Sequence, residues 1–78
     1  MRLDKFLKIS RVIKRRTVAN EVADAGRVMV NGKVVKPSFE VKVGDKVQIQ
    51  FGDKISTFEI INIPKVAGKN IEEMIKIL

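Results

Sequence analysis

Asn31-Gly32 lies between two short stretches, Val28-Met29-Val30 and Lys33–Lys36. A type I′ turn needs positive φ at both central residues, and Asn-Gly is the pair that tolerates this best. The dipeptide therefore commits the middle of the chain to a tight antiparallel hairpin. Pro37 stops the returning strand, because it has no N–H to give to a ladder.

The flanking pattern supplies the rest. Leu3, Phe6 and Leu7 stand at i, i+3 and i+4, one apolar stripe on a short helix that ends near Ile9. Ser10–Arg16 reads as a connection, with Val12 and Ile13 tacking it to the core. A second helix is expected over Thr17–Ala25, with Thr17 as N-cap, Val18, Val22 and Ala25 as its stripe, and Gly26 as its left-handed stop. After the hairpin, Gly44-Asp45 marks a turn. Val47, Ile49 and Phe51 alternate with Gln48 and Gln50 as in a half-buried strand. Gly52-Asp53-Lys54 turns the chain into Ile55–Ile61. Asn70 and Glu73 have capping-box spacing, and Ile71, Met74, Ile75 and Leu78 predict a short terminal helix. The expected fold is α+β: two short helices packed on a small antiparallel sheet, followed by a C-terminal helix. Residues 1–78 are expected to form a single domain, with a core motif over about 1–51 and an extra strand and terminal helix over 52–78.

Composition excludes most chemistry. The chain has no Cys and no His, which removes disulfides, thiol nucleophiles, imidazole catalysis and zinc-finger sites. There is no Gly-rich phosphate loop and no metal-ligand spacing. Asp4, Glu21 and Asp24 sit among bases that would lower their pKa, the wrong direction for a general acid. No catalytic residue, cofactor or metal is expected. No apolar run approaches the roughly 20 residues of a membrane span, and the N-terminus is too charged for a signal peptide, so a cytoplasmic chain is expected.

The charge is unevenly placed. The net value of +7 sits wholly within the first 36 residues, and the remainder is neutral. It is densest at the N-terminus, where Arg2, Lys5, Lys8, Arg11, Lys14, Arg15 and Arg16 face Asp4 alone. Such a cluster repels itself, and a polyanionic partner is the natural reason to keep it, whereas a merely solubilising face usually mixes signs. No aromatic residue of this cluster is free to stack on a base. The mode implied is phosphate contact and shape recognition of folded RNA. Arg11, Arg15 and Arg16 lead the candidates, since a guanidinium can donate twice to one phosphate, with Lys5, Lys8 and Lys14 as point charges. Arg16 is expected to lie just outside the second helix, beside its anion-attracting N-terminus.

Three ordered motifs carry a family resemblance. Arg2-Leu3-Asp4 with Leu7, Arg16-Thr17-Val18-Ala19, and Gly26-Arg27-Val28-Met29-Val30-Asn31-Gly32, with Val43-Gly44-Asp45 later, resemble the RNA-binding domain first described in small-subunit ribosomal protein four. The resemblance implies RNA contact by Arg2, Lys5, Arg11, Arg15, Arg16 and Arg27, and structural roles for Thr17, Gly26, Asn31 and Gly32. The opening run through Lys8 and the stretch Ser10–Thr17 look most like the free-standing members of bacterial ribosome quality control. That likeness implies a monomer that binds obstructed large ribosomal subunits carrying peptidyl-tRNA. It also implies contacts to ribosomal RNA and tRNA, and assistance to an RqcH-type factor that adds C-terminal alanine tails. Heat-shock-type relatives, which rescue large subunits, usually carry a longer basic C-terminal extension. A basic peripheral membrane protein would need a longer amphipathic helix than Leu3-Phe6-Leu7 provides. An appended domain of a pseudouridine synthase would need a catalytic domain beside it.

A cluster of this density gives a steep salt dependence. Affinity for RNA is expected to fall by roughly 10²–10⁴ between 50 and 200 mM salt, measured by titration at several salt concentrations. A flat profile would contradict electrostatic binding.

Overall fold

The computed structural model describes residues 1–63 and 74–78. Two helices, α1 (Leu3–Ile9) and α2 (Arg16–Asp24), precede five strands: β1 (Val28–Val30), β2 (Lys33–Val34), β3 (Lys46–Phe51), β4 (Lys54–Ile60) and β5 (Ile75–Ile77). The strands form one antiparallel sheet in the order β2-β1-β3-β4-β5. The α+β expectation holds.

One face of the sheet carries the core. Val28 and Val30 of β1, Val47 and Ile49 of β3, and Phe58 and Ile60 of β4 are buried, each pair two residues apart as the strand pleat requires. Leu3, Phe6 and Leu7 of α1, Ile13 of the connection and Ala19 and Ala23 of α2 join the same cluster. Each fully buried large aliphatic or Phe side chain contributes about 1.5–3 kcal/mol relative to exposure. A seven-residue helix such as α1 is not stable alone, so this burial is what holds it.

The first turn of α1 has no side-chain cap. Its free N–H groups go instead to a distant loop: Leu3 donates to the Phe39 carbonyl at 2.7 Å and Asp4 to the Pro37 carbonyl at 3.2 Å. Val41 returns a bond to the Met1 carbonyl, and Arg2 bridges Glu40. The stretch after Pro37 thus runs beside the N-terminus.

Three expectations are corrected. First, α2 begins one residue earlier than Thr17. Arg15 is its N-cap position, without a side-chain hydrogen bond, and Thr17 lies inside the helix. Second, its buried stripe is Ala19 and Ala23, with Val22 half-buried, while Val18 is exposed and Ala25 is an exposed C-cap residue beyond the helix. Small side chains on the inward face let α2 lie close to the rest of the core, so bulk was a poor guide to direction. Third, no helix forms over Ile75–Ile77. These residues are a strand paired with β4, Ile75 opposite Ile60 and Ile77 opposite Phe58. Ile75 and Ile77 fit a two-residue period as well as a helical stripe, and the open edge of β4 offers hydrogen bonds that an isolated short helix lacks. The capping box at Asn70 and Glu73, with Ile71, lies outside the described residues.

Both turns flanking β1 are as expected. Gly26 has φ 78°, and the chain closes α2 with Gly26 N–H to Ala23 and Arg27 N–H to Val22, a Schellman motif. Asn31 and Gly32 have φ of 52° and 84°. The Asn31 side chain also reaches out of its own turn: its amide donates to Asp45 Oδ1 at 3.1 Å and its carbonyl accepts from the Lys46 N–H at 3.0 Å. Asp45 in turn accepts from the Lys42 N–H. Asn31 therefore ties the hairpin to the Gly44-Asp45 turn. Asn31→Ala is expected to cost about 1–2 kcal/mol, from the αL penalty and the lost bonds, read as a lowered melting temperature. Unchanged melting with lost RNA binding would instead make the turn a contact site.

Candidate nucleic-acid interface

The seven N-terminal bases fall on three consecutive pieces of chain. Arg2 precedes α1, and Lys5 and Lys8 lie on its exposed side. Arg11, Lys14 and Arg15 occupy the connection, and Arg16 opens α2. All are exposed. Lys5, Lys8, Arg11, Lys14 and Arg15 make no ion pair among the described residues, so their charges are available to a partner.

Arg2 and Arg16 differ. Both turn toward Asp4, whose side chain is only 3% exposed. Arg2 Nε lies 3.3 Å from Asp4 Oδ1 and Arg2 Nη2 3.3 Å from Oδ2, a two-point contact. Arg16 Nε lies 3.5 Å from Oδ2. The Lys5 backbone N–H donates to Oδ1 at 2.8 Å, and the Asn20 amide donates to Oδ2 at 3.3 Å from α2. Burial pushes the Asp4 carboxyl up, but the Asn20 amide, the Lys5 N–H and the Arg16 and Arg2 charges outweigh it and hold it below its ordinary value. A carboxylate depressed in this way stabilises the fold at neutral pH, and that contribution is lost as pH falls through its folded-state pKa. An open hollow of about 370 Å³ beside it is lined by Asp4, Arg16, Thr17, Asn20 and Glu21.

Arg16 is thus the first residue of α2, not a side chain outside it, and it is joined to Asp4. Sequence reasoning named Asp4 only as an acid among bases and missed Asn20 as its partner. The available signal was that a lone acid among seven bases gains most by serving several of them.

Arg27 is not brought together with this group. It follows the far end of α2, a helix about 13 Å long. Its carbonyl accepts from the Gln50 N–H, and it lines a small hollow with Gly26, Met29, Gln48, Gln50 and Ile55.

Arg11 stands out in its backbone. Its φ of 63° places a non-glycine residue in the left-handed region just after the Ser10 C-cap of α1, where glycine is usual. Its N–H closes the helix on the Lys8 carbonyl.

Two helices over an antiparallel sheet, with a basic face on the helices and the connection between them, define an RNA-binding module of the S4 type, and residues 1–47 match the family model of the S4 domain. The chain is 57% identical over 69 residues to the RQC P-site tRNA stabilizing factor of Bacillus subtilis (strain 168), covering 88% of this chain and 80% of that protein. It belongs to the S4-domain family and, within it, to the RQC P-site tRNA stabilizing factors. Among solved structures, heat shock protein 15 of Vibrio cholerae, described as trimeric, superimposes with a TM-score of 0.86 at 28% identity, covering all of this chain and 81% of that one. The solution structure of a protein designated HP1423 does so with a TM-score of 0.82 at 33% identity, covering all of this chain and 96% of that one. The expected heat-shock alternative shares the fold, but the quality-control relatives share far more of the sequence. These relatives are named for the stabilizing of a P-site tRNA. No helix among the described residues is long and apolar enough to cross a membrane.

The left-handed residue at position 11 gives a direct check. Arg11→Gly is expected to be more stable than Arg11→Ala by about 1 kcal/mol, because alanine keeps the strain and glycine does not. Thermal or urea denaturation of the two variants measures it.

Proposed function

We propose that this chain binds large ribosomal subunits obstructed by peptidyl-tRNA. The exposed bases of α1, the α1–α2 connection and the start of α2 contact the backbones of ribosomal RNA and of the tRNA in the P site. Arg2, Lys5, Lys8, Arg11, Lys14, Arg15 and Arg16 form this interface, and Arg27 is a separate contact from the other end of α2. By steadying the tRNA, the chain assists an RqcH-type factor in adding C-terminal alanine to the stalled product. It acts as a cytoplasmic monomer by binding alone.

The observation that carries this reading is the group of exposed cations, Lys5, Lys8, Arg11, Lys14 and Arg15, that have no acidic partner among the described residues. A folded chain that leaves so many like charges together holds unfavourable energy that a polyanion relieves. The relatives' name supplies the particular polyanion, a P-site tRNA. The aromatic residues agree with contact to backbone and shape: Phe6 and Phe58 are buried in the core, Phe39 is half-buried, and Phe51, exposed where the strand pattern had placed it half-buried, lies at the end of β3 and not in the basic segments.

The test is a variant that removes charge without touching the core: Lys8→Ala, Arg11→Ala and Arg15→Ala together. Binding to purified large subunits carrying peptidyl-tRNA is expected to weaken. The slope of log affinity against log salt is expected to become shallower by about 3, close to one unit per lost phosphate contact. An unchanged affinity and slope would place the interface elsewhere.

A further inference from the structure

We propose that Asp4 is a positioning residue for RNA binding: it holds Arg2 and Arg16 on one carboxylate and so makes them a single two-guanidinium grip spanning both helices. The proposal rests on the RNA-binding reading above and adds to it how two of the contacts are assembled.

Taken alone, Asp4 works against a polyanion. It places a negative charge in the middle of the basic face and repels phosphate. Its effect on geometry is the opposite. Arg2 lies ahead of α1 and Arg16 opens α2, and the two charges would otherwise repel each other. The shared carboxylate cancels that repulsion and brings both guanidinium groups to one point, with Nε atoms 3.3 and 3.5 Å from its oxygens. Asn20 donates to the same carboxylate from α2, and the Lys5 N–H donates from α1, so Asp4 is fixed by both helices before any RNA arrives.

What remains free suits the task. Arg16 approaches Asp4 through Nε, and among the described residues its terminal nitrogens make no hydrogen bond. Arg2 approaches through Nε and Nη2, and its Nη1 makes none among the described residues. The two side chains are 51% and 45% exposed, so they are accessible to a phosphate oxygen while being tethered at the base. An untethered arginine loses much rotamer freedom when it docks. One already held in place loses less, and binding is tighter by the difference. The planar fork allows one edge to hold the carboxylate and another to meet the phosphate, which the single ammonium of lysine cannot do.

The experiment is a thermodynamic cycle on the full chain, read as affinity for purified large subunits carrying peptidyl-tRNA. Asp4→Asn removes the charge and keeps the shape. It is measured in the natural background and in an Arg2→Ala, Arg16→Ala background, with melting curves on each. The expected result is a loss of about tenfold in the natural background and less than twofold where the arginines are absent. An equal loss in both backgrounds would show that Asp4 acts only through the fold and would overturn the proposal, as would unchanged or tighter binding in the natural background. If Asp4→Asn does not fold at the assay temperature, Arg2→Lys with Arg16→Lys serves in its place, because it keeps both charges and removes both forks. Binding about as weak as that of the double alanine variant supports the proposal, and natural affinity overturns it. Loss with Asp4→Asn while the Lys8, Arg11, Arg15 variant binds normally would defeat the wider interface and leave the grip standing.

Discussion

The buried carboxylate of Asp4 is the constraint on which the basic half of this molecule depends. An ionised acid in that position is costly unless every lone pair is answered, and removal of a single partner is more damaging than the pair is worth in isolation. Here the answering groups come from the segment before α1, from α1 itself and from α2. The helices are therefore joined at two levels: apolar side chains beneath, and a charged knot at the rim where they face solvent. Core packing sets the distance between helices, and the knot fixes how their charged ends are aligned.

The sheet has a different part in this arrangement. Its core face is aliphatic and carries the helices. The neutral charge of the second half of the chain keeps that platform from competing with the basic face. Ala19 and Ala23 set how near α2 can come, and larger residues there would push the start of α2, with Arg16, away from Asp4. Packing in the interior and the placement of a surface guanidinium are thus the same problem viewed from two sides.

Much of this was legible in the residues. The hairpin at Asn31-Gly32, the stop at Gly26 and the α1 stripe follow from local rules of φ and periodicity, and the structure agrees with them. The basic face was legible as charge asymmetry. What could not be read was non-local. The stripe of α2 depends on which side must fit closely, and alanine gives a weak periodic signal beside valine. The residues of β5 fit a helix and a strand equally, and the decision rests with the free edge of β4. The partnership of Asp4 with Asn20 joins residues on separate helices, which no local pattern encodes.

The carbonyls of Pro37 and Phe39 that receive the first N–H groups of α1 have a consequence for the order of assembly. The N-terminal helix leaves the synthesising ribosome first, yet the backbone acceptors that complete it arrive only after the hairpin has been made. Its side chains must likewise wait for Val28, Val47 and the strands around them. The contacts that shape the basic face are long-range in sequence, and such contacts form late because the closing of a long loop must come first. A nascent copy of this chain therefore exposes its bases as an unstructured, self-repelling segment and acquires a formed RNA-binding surface only as the domain closes. RNA binding is in this sense a property of the finished chain, withheld from the one still being made.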